Sequence, residues 1–309
     1  MTTEYISRLL QNLPNDLKRA DRPTRIDLVL DGGAFNGSYL IGALQFLREM
    51  EQRGWVRVGR ISGTSIGAIC AILYQINALD SFEGFYTELA DHFRQHHNLD
   101  KMGAFSVRLR ALWGDHAVPH RRLYLSYWDI RRRRKIVRST YKDADDLIRA
   151  AMRSCFIPFA VNGDMLYEGR YMDGARPYVF KRRPHGHTLH LNLWGADKLN
   201  QIWNIRNETT NLQRVLAGML DIHAFFIKGG PTAMCSYVED WWYYDGIHAA
   251  MEWVAVQVIC WLYFLSQWRG SFGGALQEYS KSRVVNILAR FGKVVSAELI
   301  KLLVELCCF

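Results

Sequence analysis

The sequence predicts an α/β fold with a mainly parallel central sheet. Two apolar runs of strand length, residues 25–30 and 56–62, are each followed by a glycine-rich turn and then by a helix-like pattern. This repeated order is typical of parallel sheets, in which each pair of consecutive strands needs a crossover connection. With 309 residues and a hydrophobic fraction of 49%, the chain can bury a large core.

The first strand–turn–helix unit begins with the run RIDLVL, residues 25–30, which stops at the turn DGGAFNG, residues 31–37. A helix is predicted next, because apolar residues recur at helical spacing from Leu40 to Leu47 and Gly54 provides a stop. The second unit has a strand at residues 56–62, the turn GTSIG and a helix AICAILYQIN. Both turns should therefore meet at the carboxyl edge of the sheet, where open α/β sheets bind ligands.

The rest of the first 200 residues gives weaker signals. We expect helical excursions and a lid over the site in residues 80–136, which are rich in His, Arg and aromatic residues. Helical spacing returns at residues 143–155 and stops at Pro158, and TLHLNLWG, residues 188–195, is a predicted strand. The segment YEGRYMDGARP between them is predicted to be a turn region.

The net charge of +9 indicates a phosphate-bearing partner, either nucleic acid or an anionic membrane surface. One basic run, Arg-Arg-Arg-Arg-Lys at residues 131–135, is open to three interpretations. It is a solvated face, a patch that binds phosphate or anionic lipid, or a nuclear localisation signal.

The cysteines favour a reducing, intracellular and cytoplasmic location. None forms a Cys-x-x-Cys pair, no zinc spacing is present, and the N-terminus lacks the apolar core of a signal peptide. No cluster of carboxylates suits calcium, so we expect neither a metal nor a cofactor. The six cysteines are Cys70, Cys155, Cys235, Cys260, Cys307 and Cys308.

The C-terminal third contains a long apolar segment and an amphipathic segment. Residues 247–265 are nearly continuously apolar and are long enough to span a bilayer, but Glu252 near the middle makes that costly. A core helix, a membrane-surface helix and a spanning helix are all open, and the spanning helix is the least favoured. Residues 282–309 form an amphipathic pattern that can dock on the domain or lie in a membrane interface.

Ser65 stands between two glycines in the second turn, so it is either a nucleophile or a residue of an ordinary loop. The turn joins a strand to a helix, as a nucleophile elbow requires, and places the hydroxyl near the positive end of that helix. The first turn, residues 31–37, could supply backbone donors for an oxyanion or a phosphate, but it lacks the P-loop lysine. For the base, none of the ten histidines is marked by its context, and Asp173 is either the base or a turn former.

Four elements occur in an order that resembles the patatin-like phospholipase family. They are the glycine-rich turn at residues 31–37, the elbow at residues 63–67, the stretch SCFIPFA and the Asp173-Gly174-Ala175 motif. The resemblance covers roughly residues 26–193.

The resemblance implies a three-layer α/β/α fold and a Ser–Asp dyad without histidine. Ser65 would be the nucleophile, Asp173 the base, and the N–H groups of Gly32, Gly33 and Ala34 the oxyanion donors. The chain departs from the family pattern twice. A third glycine usually stands at the position of Ala34, and a basic residue at that of Asn36.

By the same resemblance, the chain is expected to be a phospholipase A that cleaves fatty-acyl esters of membrane phospholipids. Its domains would be a helical segment at 1–24, the catalytic domain at 25–230 and a helical extension at 231–309. A peripheral membrane association and an anionic lipid surface are expected, and a nucleic-acid partner is not. The alternatives are a neutral-lipid lipase or acyltransferase with the same dyad, and a catalytically weak lipid-binding, membrane-remodelling protein.

Overall fold

A computed structural model describes residues 2–19, 22–181, 186–199, 201, 202, 204, 205, 208, 210–238 and 256. Backbone contacts divide the chain into two units, Met1–Tyr243 and Tyr244–Phe309. The helices and strands given below belong to the first unit. The two C-terminal segments predicted from the sequence, residues 247–265 and 282–309, lie outside the described residues apart from Val256.

Helices make up much of the described chain and are numbered here in chain order. They are α1 Thr2–Gln11, α2 Asn15–Lys18, α3 Gly37–Gln52, α4 Ile66–Gln75, α5 Phe82–His96, α6 Met102–Trp113, α7 Ala144–Ser154, α8 Ala196–Leu199 and α9 Leu212–Lys228. None of the helices within the described ranges combines the length and the apolar character needed to cross a membrane.

The strands form one seven-stranded sheet. They are β1 Thr24–Leu30, β2 Val56–Gly63, β3 Leu123–Asp129, β4 Arg134–Arg138, β5 Tyr171–Asp173, β6 His187–Leu191 and β7 Cys235–Tyr237. The order is β4-β3-β2-β1-β6-β7, and β5 pairs with β3 outside this path. The four central strands are parallel, whereas β4, β5 and β7 pair antiparallel with their neighbours.

The sequence prediction of an α/β fold with a mainly parallel sheet is confirmed. The strands and helices predicted on either side of the two glycine-rich turns are present, with β1, α3, β2 and α4 within a few residues of the expected bounds. The predicted helix near residues 143–155 is α7, and its first turn is capped by the Asp143 carboxylate, which accepts from the Asp146 N–H at 2.8 Å.

The expectation of helices alone across residues 80–136 was wrong. Helices α5 and α6 are there, but strands β3 and β4 follow them, and β3 lies between β2 and β4 in the sheet. Strand β3 contains Ser126 and Asp129, both fully buried, which break the apolar run that marks a buried strand. Strand β4 begins inside the basic run, at Arg134, where the sequence pattern predicts no strand. The region predicted to be a turn around Asp173 also contains a strand, β5.

Helices α3 and α9 pack backbone against backbone, because glycines occupy their line of contact. A Cβ atom at Gly42 of α3 would lie 1.8 Å from the carbonyl oxygen of Val215, and one at Gly218 of α9 would lie 2.0 Å from that of Tyr39. Helix α3 follows the first glycine-rich turn directly. The close contact with α9 therefore fixes the start of α3 and the turn before it.

Replacing Gly42 by alanine should destabilise the fold by about 2–3 kcal/mol, because the added methyl group forces the two helices apart. The matched control is Gly103→Ala in α6, where a Cβ atom would meet nothing within 4 Å. That change should be neutral or stabilise by up to about 0.5 kcal/mol, through the helix propensity of alanine. Chemical denaturation measures both. Equal stabilities of the two variants would contradict the close α3–α9 contact.

Candidate active site

The site is built where the central strands end. Leu30 at the end of β1 is paired with Gly63 of β2 on one side and with Leu191 of β6 on the other. The chain segments that follow these strands therefore start side by side at the carboxyl edge of the sheet. This is the edge at which the sequence predicted that the two glycine-rich turns would meet.

Ser65 occupies a strained position immediately before α4. Its backbone has φ 52° and ψ −131°, a region that residues other than glycine rarely adopt. Such a conformation costs on the order of 1–3 kcal/mol and persists only where the surroundings impose it. A strained serine between a strand and a helix is the geometry of a nucleophile elbow.

The glycines on either side of Ser65 are required by close backbone contacts. A Cβ atom at Gly63 would lie 2.5 Å from the Gly67 carbonyl oxygen, and one at Gly67 would lie 2.5 Å from the carbonyl oxygens of Leu30 and Asp31. The second of these contacts joins the elbow to the first glycine-rich turn. Both glycines therefore allow the sharp turn, as the sequence pattern indicates.

The first glycine-rich turn lies against the Ser65 side chain. A Cβ atom at Gly32 would come within 2.8 Å of the Cβ atom of Ser65. Among the described residues, the N–H groups of Gly32, Gly33 and Ala34 make no hydrogen bond. They are therefore available as donors to a ligand oxygen beside the serine.

Ala34 keeps its N–H group at the position where the resemblance implies a third glycine. Its φ is 40°, in the left-handed region that favours glycine. The side chain therefore adds strain of roughly 1–2 kcal/mol, but it does not remove the donor.

The base of this turn is held by β6. The Asp31 carboxylate lies 3.1 Å from Nε2 of His190 and accepts from the Leu193 N–H at 3.4 Å, and the Asp31 N–H donates to the Leu191 carbonyl. All of these groups are buried. No sequence pattern indicates the pair formed by Asp31 and His190, because its members are far apart along the chain.

The outer end of the turn is held by a buried arginine that the sequence analysis missed. Arg214 of α9 donates from Nη1 to the Asn36 side-chain oxygen at 2.6 Å, and the Asn36 amide donates to the Lys198 carbonyl at 2.9 Å. Arg214 also forms an ion pair with Glu208 at 2.8 Å and is only 2% exposed. A cationic side chain thus reaches the position at which Asn36 departs from the family pattern. No local motif marks it.

The stretch SCFIPFA, residues 154–160, holds the elbow through hydrogen bonds to the Ser65 backbone. The Ser65 N–H donates to the Ser154 hydroxyl oxygen at 3.0 Å, and that hydroxyl donates to the Ser126 carbonyl at 2.7 Å. The Cys155 thiol donates to the Ser65 carbonyl, with Sγ and O 3.1 Å apart. Burial raises the pKa of the Cys155 thiol well above its ordinary value, and the Asp173 charge raises it further. The thiol therefore stays protonated and remains a donor.

Asp173 ends strand β5 at the same edge of the sheet. It is paired with Tyr127 of β3, two residues beyond the position at which β3 pairs with Gly63 of β2. A Cβ atom at Gly174 would lie 2.4 Å from Oγ1 of Thr64, the residue before Ser65. The Asp173 carboxylate accepts from the Ala175 N–H at 2.7 Å, and the Asp173 N–H donates to the Phe156 carbonyl at 2.8 Å. These contacts fix the carboxylate within the elbow's immediate surroundings.

An apolar pocket opens onto Ser65 and holds about 490 Å³ of empty space, including its open mouth. The turn and the elbow provide one part of its wall. The side chains that line the remainder come from α4 to α7 and from the stretch after α7, and they include Leu89, Leu99, Met102, Phe105 and Ile157. A wall of this kind suits a hydrocarbon chain better than a charged ligand.

The basic run lies beyond the same edge of the sheet. Residues 131–134 are exposed and follow β3, whose Tyr127 is paired with Asp173. Residues 130–133 form the hairpin turn between β3 and β4, in which Asp129 is paired with Arg134, so the turn lies at the carboxyl end of β3. The run therefore projects outward on the side of the sheet edge that holds the candidate site.

The family described as patatin-like phospholipase matches residues 28–179, a segment that contains Gly32, Ser65 and Asp173. Members of this family are lipid acyl hydrolases. The comparison with curated proteins gives no significant match.

Replacing Gly32 by alanine should slow the labelling of Ser65 by a fluorophosphonate about 100-fold or more. The added methyl group cannot fit 2.8 Å from the Ser65 Cβ atom, so it separates the serine from the N–H groups that the resemblance implies as oxyanion donors. Labelling rates measured by mass spectrometry test this. The control is Gly186→Ala, whose Cβ atom would make only an ordinary contact, at 3.6 Å from the Arg25 carbonyl. Normal labelling of Gly32→Ala would refute the assigned position of the turn.

Proposed function

Because residues 28–179 belong to the patatin-like phospholipase family, we propose that the chain is a lipid acyl hydrolase of the phospholipase A type. Its substrates are the fatty-acyl esters of membrane phospholipids. The observation that carries the proposal is the strained Ser65, which lies against the first glycine-rich turn and lines an apolar pocket. That turn carries three backbone N–H groups that make no hydrogen bond to any described residue.

The proposed reaction begins with proton transfer from the Ser65 hydroxyl to the Asp173 carboxylate as the serine oxygen attacks the ester carbonyl. The carbonyl oxygen becomes an oxyanion and accepts hydrogen bonds from Gly32, Gly33 and Ala34. Each such donor is typically worth about 3 kcal/mol in the transition state. The leaving lipid alkoxide takes the proton from Asp173, and an acyl-enzyme remains on Ser65.

Hydrolysis of the acyl-enzyme repeats the same steps with water. Asp173 removes a proton from the attacking water, and the Ser65 oxygen leaves and regains that proton. The products are a fatty acid and a lysophospholipid. The backbone N–H of Ser65 is already bonded to Ser154, so in this proposal the first glycine-rich turn supplies the donors.

The pocket gives a reason for a long-chain substrate. Its described walls are almost entirely apolar, so burying a hydrocarbon chain there yields roughly 0.8 kcal/mol per methylene group. This binding energy would hold the ester carbonyl between Ser65 and the turn. Short-chain esters should therefore be poorer substrates than long-chain esters with the same leaving group.

A catalytically weak lipid-binding protein is the alternative from another class. The strained Ala34 and the uncharged Asn36 favour it, since both depart from the family pattern. Two observations support catalysis instead. The Ala34 N–H is retained, and Arg214 brings a cation within 2.6 Å of Asn36.

Ser65→Ala and Asp173→Asn should each reduce ester hydrolysis by a factor on the order of 10²–10⁴, because each removes one half of the dyad. The double variant should be no worse than either single one, since the two residues act as a unit. Asp16→Asn is the matched control, because this exposed aspartate belongs to α2, which contributes no residue to the proposed site or to the pocket.

The measurement is the release of fatty acid from mixed liposomes, with all lipid products identified by mass spectrometry. Lysophospholipid as the second product supports phospholipase A. Transfer of the acyl group to a lipid alcohol, or release from neutral lipids alone, identifies the acyltransferase or the lipase. Full activity in Ser65→Ala would overturn the proposal, and full activity in Asp173→Asn would point to a histidine base.

Binding to anionic vesicles should depend on the basic run. Replacing Arg131 and Arg134 by glutamine removes two exposed charges and should weaken binding roughly 30-fold at low salt, at about 1 kcal/mol per charge. High salt should shrink the difference, because it screens these interactions.

The control for this prediction removes the same charge from the opposite edge of the sheet. Arg25 and Arg57 are exposed near the amino ends of β1 and β2, so Arg25→Gln with Arg57→Gln should have a much smaller effect. Vesicle co-sedimentation measures the binding of both double variants and of the unmodified chain at low and at high salt. Equal losses in the two double variants would show that only the net charge matters.

A further inference from the structure

The segment after α7 carries an exposed aromatic ring beside the pocket. Ile157 lines the pocket, whereas Phe159, two residues later, is 41% exposed. The next residue, Ala160, accepts a hydrogen bond at 2.9 Å from the N–H of Leu99, which also lines the pocket. Phe159 is therefore flanked on both sides by parts of the pocket wall, at the point where this wall reaches solvent.

The backbone at Phe159 is unfavourable for an aromatic residue. Its φ is 64°, in the left-handed region that glycine and asparagine adopt most easily. The Phe159 N–H donates to the Asp164 carbonyl at 2.8 Å and closes a short loop around this conformation. Local structure thus favours a small or polar residue here, and core packing alone does not explain an aromatic side chain that leaves 41% of its surface exposed. An observed strain of this kind supports a functional role.

The surroundings of the ring fit a phospholipid bilayer as its partner. Lys101 is exposed in the loop between the pocket residues Leu99 and Met102, so a cation lies beside the pocket wall. The neighbouring Asp100 carboxylate lies 2.5 Å from Nε2 of His92. A partly exposed aromatic side chain and a lysine on adjoining segments of the pocket wall match the acyl layer and the anionic headgroups above it.

We propose that Phe159 is an aromatic anchor that enters the acyl layer of a phospholipid membrane and seats the pocket mouth on it. This inference rests on the proposed function. The anchored mouth lets a fatty-acyl chain leave the bilayer and enter the pocket without crossing water, and so avoids the cost of hydrating the chain. The anchor also supplies a part of the membrane affinity that salt does not remove.

The test uses the Ser65→Ala background, in which the proposed hydrolysis is blocked, and vesicles of phosphatidylcholine and phosphatidylglycerol at high salt. Phe159→Asn should weaken binding by at least about fivefold, because asparagine tolerates the left-handed backbone but cannot enter the acyl layer. Phe159→Trp should keep the binding. The matched control is Ile227→Asn on α9, where an apolar side chain of similar exposure, 44%, belongs to a helix that lines no part of the pocket.

Thermal unfolding should give the same or a higher melting temperature for Phe159→Asn, so a loss of binding would not reflect unfolding. With Ser65 intact, this variant should hydrolyse a soluble short-chain ester normally and vesicle phospholipid more slowly. Unchanged binding of Phe159→Asn, or an equal loss in Ile227→Asn, would overturn the anchor. Absence of ester hydrolysis by the unmodified chain would instead overturn the proposed function and leave the binding result interpretable.

Discussion

The site depends on the contact between two backbone turns at the ends of β1 and β2. Gly67 lies against the carbonyl groups of Leu30 and Asp31, and Gly32 lies against the Ser65 side chain, with no room for a Cβ atom at either glycine. The parallel register that pairs Leu30 with Gly63 sets this contact. A serine and a row of backbone donors are thereby held together by the sheet itself, so the proposed reaction would need neither of them to rearrange.

Hydrogen bonds from more distant parts of the chain hold these turns in place. His190 and Arg214 fix the two ends of the first turn, and Ser154 fixes the backbone of Ser65. All three are buried, so breaking one of their bonds would leave a polar group unsatisfied at a cost of roughly 1–3 kcal/mol. This arrangement explains how the strained conformations of Ala34 and Ser65 persist in the folded chain.

Local sequence was sufficient to predict the two strand–turn–helix units and the residues of the elbow, because glycine spacing and helical periodicity act over a few residues. It was insufficient for β3, since the buried Ser126 and Asp129 interrupt the apolar pattern and are stabilised by contacts made far along the chain. Asp129, for example, pairs with Arg170 at 2.6 Å. The roles of Arg214 and His190 were not predicted either, because their partners, Asn36 and Asp31, lie far away along the chain. The roles assigned to Ser65 and Asp173 came from the order of four motifs and stay predictions.

The position of β6 determines how small a working fragment of this chain can be. The segment that matches the family ends at residue 179, before β6, yet β6 pairs with β1 and supplies His190 to the first turn. A fragment cut at residue 179 would turn β1 into an open edge that invites aggregation, and would leave the Asp31 carboxylate without its histidine. The boundary of sequence similarity and the boundary of autonomous folding therefore differ, and fragments should extend through β7.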